Sequence, residues 1–218
     1  MVEFAETISP EINVAIHGLA EALENAKIPG IVECTPCYCS LGVHYDPLQI
    51  QCHVVMEQLS QLLTSKRQDW RHVGRRVEIP VVYGGDFGPD LEWVASTHGL
   101  NAQNVVALHS EPVYRVFMIG FTPGFPYLGG LPETLACPRL PSPRTVVPTG
   151  SVAIGGLQCG IYPVNSPGGW RIIGRTPLRL FDVRIAKPSL LAPGDEVVFR
   201  RIDEQEFFQI ASQAGTSS

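Results

Sequence analysis

Apolar residues first recur at helical spacing. Ile12, Ala15, Ile16, Leu19, Ala20 and Leu23 share one face of a predicted helix. Ser9 can cap its start, Pro10 suits the first helical position and Glu11 complements the dipole. Pro29-Gly30 ends it, and strands follow at about 31–35 and about 38–45. Asp46-Pro47 opens a second helix carrying Val54, Val55, Leu59, Leu62 and Leu63, and Val77–Tyr83 reads as another strand. With Met1–Phe4 as the truncated stub of an opening strand, this order predicts a small α+β, ferredoxin-like (split β-α-β) domain over residues 1–78.

The pattern then changes. Gly84–Pro89 makes a sharp turn into a helix at about 89–98, and Asn101 caps a short helix ending near His109. Val113–Phe121 is a strong strand. Short strands follow at Ser151–Ile154, Cys159–Pro163, Trp170–Gly174, Arg179–Val183 and Glu196–Arg200, the last entered through the tight turn Pro193-Gly194-Asp195. Asp203–Gln213 reads as a closing helix. Most of the 21 glycines and 19 prolines lie after residue 80, where tight turns need them, so residues 79–218 are expected to form an all-β barrel.

The length of 218 residues allows one large domain or two small ones. Hydrophobic residues at 44% and charged residues at 17% exclude a mostly disordered chain. The 16 basic against 21 acidic side chains give a net charge of −5, which argues against a basic nucleic-acid footprint. No apolar run approaches a membrane span, and Met1–Glu6 lacks the basic start and apolar core of a signal peptide, so a cytoplasmic protein is expected. Six cysteines include Cys34, Cys37 and Cys39, but His44, Cys52 and His53 stand at no standard zinc spacing. These cysteines are expected to be small buried residues rather than metal ligands.

Three glycine-rich segments exceed what packing needs: Tyr83–Leu91, Gly120–Leu131 and Tyr162–Thr176. Between the last two lie Pro138-Arg139, Pro143-Arg144 and the stretch Pro148–Ile154. In order along the chain stand Gly-Gly-x-x-Gly-Pro-Asp-Leu, Leu108-His109-Ser110, Gly-Phe-x-Pro-Gly-Phe-x-Tyr-Leu, Pro-Arg-x-x-x-Pro-Arg and Ser-Pro-Gly-Gly-Trp-x-x-Ile-Gly-Arg-Thr. On these motifs the chain resembles, over nearly its whole length, the family of the bacterial 5-oxoprolinase B subunits. That family also goes under KipI, allophanate hydrolase subunit 1, and carboxyltransferase domain, subdomain C and D. The resemblance implies a small N-terminal α+β domain and a C-terminal cyclophilin-like barrel. Members of the family usually begin with a strand bearing a Gly-Asp-x-Ala turn, which is nearly absent here, so a start further upstream or a trimmed chain is expected.

The resemblance further implies a hydrolase subunit. It would act with partner subunits A and C to open 5-oxo-L-proline to L-glutamate using ATP with Mg²⁺, and would be inactive alone. A lactam is a poor electrophile, so such a site needs cations and N–H donors for developing negative charge. Arg144, Arg171 and Arg175 are the candidate cations, with Arg175 preferred for catalysis and Arg144 for substrate; a surface ion pair is the plainer role for each. His109 is a candidate general base, or a histidine favoured by a helix C-terminus. Ser166, Gly168, Gly169 and Thr176 are candidate substrate contacts, and Ser151 a second hydroxyl. Neither serine sits in a Gly-x-Ser-x-Gly elbow, so hydrogen bonding is expected of them rather than nucleophilic attack. Phe121, Phe125, Tyr127 and Trp170 form an aromatic wall, of a pocket or of the core. Asp86 and Asp90 are expected to shape a turn and cap its helix. No Gly-x-x-x-x-Gly-Lys-Ser/Thr stretch is present, so the nucleotide is expected on a partner or a shared interface. Two other readings belong to the same family: inhibition of a sensor histidine kinase, and a carboxyltransferase half-domain of a urea carboxylase. A cyclophilin-like fold alone would not imply prolyl isomerase activity.

Overall fold

The computed structural model describes residues 1–65 and 74–216, and the chain divides into two compact units, Met1–Val73 and Gly74–Ser218. The first contains β1 (Val2–Glu3), α1 (Pro10–Ala26), β2 (Ile31–Pro36), β3 (Ser40–Tyr45) and α2 (Cys52–Ser65). Ser9 caps α1 as its side chain dictates, its hydroxyl accepting from the Ile12 N–H at 3.2 Å. The helix ends shortly before Pro29-Gly30, at Lys27, whose backbone turns left-handed. The apolar face of α1 buries Ile16, Leu19 and Leu23 against Leu41 of β3 and Val55 and Leu59 of α2.

The strand order of this unit is β1-β3-β2, with both pairs antiparallel. A four-stranded ferredoxin-like sheet is therefore not found among the described residues. The segment expected to close it, Val77–Tyr83, belongs to the second unit as part of β4 (Arg76–Tyr83), so a division after residue 78 would cut that strand. Cys34, Cys37 and Cys39 are half-buried and Cys52 is exposed, rather than fully buried as expected, and all four carry free thiols. No group of three or more potential metal ligands occurs among the described residues.

After β4 come a 3₁₀ turn (Gly85–Phe87), α3 (Leu91–Thr97), α4 (Ala102–Ser110), β5 (Val113–Ile119) and β6 (Pro126–Gly129). A second 3₁₀ turn (Glu133–Leu135) leads to β7 (Arg144–Val147), β8 (Ser151–Gly155), β9 (Gln158–Ile161), β10 (Ser166–Gly168), β11 (Arg171–Arg175), β12 (Glu196–Arg201) and α5 (Glu204–Thr216). Seven strands close a barrel in the order β11-β4-β12-β5-β6-β9-β8, and β7 and β10 form a separate antiparallel ribbon. Parallel pairing of β4 with β12, from Arg76 opposite Glu196 to Val81 opposite Arg201, holds β4 in the barrel. There Ile79 and Val81 join Val116, Leu128, Ile154 and Val197 in the main core, together with Leu91 and Val94 of α3 and Val105 of α4.

The strand expected at Arg179–Val183 does not form. Asp182 instead accepts from the Arg184 N–H at 3.0 Å and from the Arg179 and Arg184 side chains, which curls the segment, and only an isolated bridge pairs Phe181 with Ser189. A turn stabilised by a carboxylate on its own backbone competes directly with a strand here.

Candidate functional site

On the barrel unit a pocket of ≈ 320 Å³ draws its walls from two of the glycine-rich segments and the connection between them. Of its aromatic residues, Phe125, Tyr162 and Trp170 are almost wholly buried in one core cluster, Tyr127 is half-buried and Phe121 is exposed; Gly168 and Gly169 add a stretch of bare backbone and Arg139 the charge. Phe125 is the hub. Its ring centre lies 4.9 Å from Tyr127, 5.1 Å from Tyr162 and 5.7 Å from Trp170, each edge to face. Wider depressions of ≈ 540 and ≈ 730 Å³ on the N-terminal unit involve none of the glycine-rich segments.

Two glycines explain how such large rings sit against strands. A Cβ at Gly155 would lie 2.5 Å from the Trp170 ring, and one at Gly160 would lie 2.7 Å from Phe125 and 3.0 Å from Trp170. The rings occupy the space that side chains on β8 and β9 would otherwise take. Phe121 is built differently. Its backbone is left-handed at φ 67°, and the Thr122 N–H donates to the Gly120 carbonyl at 2.8 Å across it. For an aromatic residue this conformation costs on the order of 1–3 kcal/mol. The strain presents a ring that is 61% exposed at the rim of the pocket, 5.6 Å from Phe125.

The Arg139 guanidinium stands 5.7 Å from the centre of the Trp170 ring. Burial pushes the Tyr127 and Tyr162 phenols up, and the Arg139 charge partly offsets this for both. Both phenols thus keep their protons at neutral pH. No carboxylate pairs with Arg139 among the described residues.

Asp90 supports the wall from behind. Its buried carboxylate accepts from the Ile172 N–H at 2.7 Å and from Arg144 Nη2 at 2.9 Å, with Arg171 Nη1 at 4.0 Å. It makes no side-chain cap to α3, contrary to the expectation from its place before that helix. The two arginines are committed by these contacts. Arg144 also reaches the Trp170 carbonyl at 3.5 Å, and Arg171 donates to the Pro138 carbonyl at 3.4 Å while its guanidinium stacks 3.4 Å over Trp93. Arg144 thus ties three chain segments together and is not among the residues lining the pocket.

The other expected residues separate clearly. Phe125, Tyr127, Gly168, Gly169 and Trp170 meet in the pocket. Ser166 lies beside them in sequence, with a buried hydroxyl that has no partner in the structure. Thr176 is buried, and its hydroxyl accepts from the Leu178 N–H at 3.3 Å, a local turn contact. Arg175 pairs across the sheet with Ser151. Its Nε and the Ser151 hydroxyl are both buried and unpartnered, and its guanidinium sits 5.6 Å from the Phe87 ring. Ser151 shares a strand face with Ala153, which packs in the same cluster as Phe125 and Trp170, but neither Ser151 nor Arg175 lines the pocket.

His109 is a correction. It is wholly enclosed, with Nδ1 2.9 Å from the Tyr83 hydroxyl and Nε2 3.2 Å from Cys159 Sγ. Burial pushes its pKa down to about 3. A ring without access and so weakly basic cannot serve as general base near pH 7; it holds the core around α4 together. Residues missed by sequence reasoning are Arg139 and Tyr162 in the pocket and Asp90 as its support. The first arginine of Pro-Arg-x-x-x-Pro-Arg was the available signal for Arg139.

Comparison with known proteins places this architecture. The profile of the carboxyltransferase domain, subdomain C and D, matches residues 1–191. The B subunit of the 5-oxoprolinase of Bacillus subtilis (strain 168) is 42% identical over 217 residues, covering 95% of this chain and 90% of that protein. The chain belongs to the family of 5-oxoprolinase B subunits. A second member, from Haemophilus influenzae, is 54% identical over 146 residues, which covers 66% of this chain and 68% of that protein. The crystal structure of TTHA0988 superposes with a TM-score of 0.84 at 42% identity over 93% of this chain. This chain spans only 39% of the length of TTHA0988.

Proposed function

We propose that this chain is the B subunit of an ATP-dependent 5-oxoprolinase, a cytoplasmic hydrolase that opens the lactam of 5-oxo-L-proline to L-glutamate together with subunits A and C. The observation that carries the reading is similarity along 90% of the corresponding 5-oxoprolinase subunit of Bacillus subtilis. The pocket agrees with it: ≈ 320 Å³ is at the small end of ligand sites, suited to one small ring, and its walls are aromatic with a cation at the edge. No helix among the described residues is long and apolar enough to cross a membrane. In this reading the barrel is of the cyclophilin-like kind.

The features of this chain favour a nucleotide site on a partner. The described residues hold no group of three or more metal ligands, and the sequence has no Gly-x-x-x-x-Gly-Lys-Ser/Thr loop. We therefore assign the nucleotide to a partner subunit and the cyclic amide to this one, which makes the isolated chain inactive. The chain's own contribution is to hold the ring, exclude water from its faces and offer charge. Arg175, with a buried and unpartnered Nε beside the unpartnered Ser151 hydroxyl, is the group we assign to stabilise negative charge developing on the amide oxygen.

Reconstitution tests this. The chain is combined with subunits A and C, 5-oxo-L-proline and Mg-ATP, and glutamate is followed. Glutamate is expected only with all three proteins, and is expected to be lost in Arg175→Ala with the fold intact by circular dichroism. Absence of glutamate from a verified three-subunit assembly would overturn the assignment.

A further inference from the structure

We infer that Arg139 is the carboxylate anchor of the aromatic pocket and that it makes this subunit selective for a cyclic amide carrying an acid group over its neutral counterpart. The inference rests on the 5-oxoprolinase reading for the kind of ring bound; the carboxylate follows from the geometry of Arg139 itself.

Of the four arginines near this wall, Arg139 is the one that lines the pocket among the described residues; Arg175 also lacks an anionic partner but lies outside the lining. Arg144 and Arg171 share Asp90, and each also donates to a backbone carbonyl. Arg139 has no anionic partner among the described residues, and its guanidinium lies by the face of Trp170. A guanidinium placed on an aromatic face still has its N–H edge free, and that edge matches a carboxylate with two parallel hydrogen bonds. A flat amide ring entering the pocket would lie among its aromatic side chains, with its substituent within reach of Arg139, the one cation in the lining among the described residues. The strained backbone of Phe121 at the rim is a second, independent sign that this pocket is held in shape for a ligand.

The backbone around Arg139 is also fixed. Its preceding carbonyl, that of Pro138, accepts from Arg171, and the following Leu140 N–H donates to the Gly169 carbonyl at 2.7 Å. The backbone on both sides of the cation is therefore tied to the pocket wall, so the exposed Arg139 side chain reaches out from a fixed point at its edge.

Direct binding to the full chain and steady-state kinetics of the assembled enzyme test the proposal together. The ligands are 5-oxo-L-proline and 2-pyrrolidinone, which share the ring and differ by the carboxylate. Arg139→Met keeps the stem and removes the charge; Arg139→Lys keeps the charge and removes the fork. We expect the parent chain to bind 5-oxo-L-proline about tenfold or more tightly than 2-pyrrolidinone. Arg139→Met is expected to abolish that preference with 2-pyrrolidinone binding unchanged, and Arg139→Lys to restore part of it. In the assembly, Arg139→Met is expected to raise KM for 5-oxo-L-proline about tenfold and to leave kcat within about threefold, the mark of lost ground-state binding. An unchanged preference, an equal loss of both ligands, or a fall in kcat at constant KM would overturn the inference. An active assembly indifferent to Arg139 would refute this proposal alone. An inactive assembly in which this chain still prefers the acid through Arg139 would refute the proposed reaction and leave the anchor standing.

Discussion

Replacing Asp90 by asparagine removes the only carboxylate that faces Arg144 and Arg171 in the wall behind the pocket among the described residues. The side chains of Arg171 and Arg144 are 10% and 28% exposed, so the first cannot recover hydration and the second only in part. Removing one member of a buried pair costs about 3–5 kcal/mol because the partner's charge is left uncompensated. The partial exposure of Arg144 and the retained stack of Arg171 on Trp93 put the value at the low end, about 3 kcal/mol. Asparagine can still accept from the Ile172 N–H; alanine cannot, and Asp90→Ala should cost about 1 kcal/mol more. At about 2–4 °C per kcal/mol, the asparagine variant should melt about 6–12 °C lower, and urea unfolding followed by tryptophan fluorescence gives the free energy directly. Combined with Arg144→Met, the two losses should fall short of additive by about 1–3 kcal/mol, since either change alone breaks the same contact. A loss below about 1 kcal/mol for Asp90→Asn, or strict additivity with Arg144→Met, would show that the Asp90 cluster does not support the wall.

Gly160→Ala places a methyl 2.7 Å from Phe125, whose ring is enclosed by Tyr162 and Trp170, so it should lose about 1–3 kcal/mol in urea unfolding and shift the tryptophan emission; unchanged stability and emission would refute the ring-seat reading. His109 binds its proton only near pH 3 in the folded state and near 6.5 when unfolded, so the unfolded state holds more protons between these values and stability should fall as pH drops below about 6.5. The loss should reach about 2 kcal/mol at pH 5 relative to pH 7 in urea midpoints, and His109→Gln should abolish that slope, whereas an equal slope in the variant would assign it elsewhere.

How far the sequence foretold the molecule depends on the range of the interaction concerned. The helix start at Ser9 was legible because the cap, the proline and the apolar repeat all lie within a few residues. The destination of Val77–Tyr83 was not: its parallel partner is Glu196–Arg201, and nothing local distinguishes a strand closing one sheet from a strand entering another. Asp90 was misread for the same reason. Its place before α3 invites a cap, but the Ile172 N–H and Arg144 claim its carboxylate from distant parts of the chain. The glycine-rich segments were recognisable as special. Why Gly155 and Gly160 are glycine became visible only with the rings of Trp170 and Phe125 in place.

The distribution of charge around the wall gives the free arginine its meaning. One buried carboxylate serves Arg171 and Arg144, and those two are committed to the backbone carbonyls of Pro138 and Trp170, the first beside Arg139 and the second in the pocket face. Loosening that support should move the pocket and its cation together. Loss of Arg139 alone should leave the support intact, because Arg139 makes none of its bonds. Asp90→Asn and Arg139→Met are therefore expected to weaken 5-oxo-L-proline binding by different routes. The first should carry a fall in stability and an equal loss of 2-pyrrolidinone; the second should carry neither. Asp90 pairs the two cations that build the wall, while Arg139 in the lining faces no carboxylate among the described residues, so an incoming anion can supply that charge without displacing a protein carboxylate.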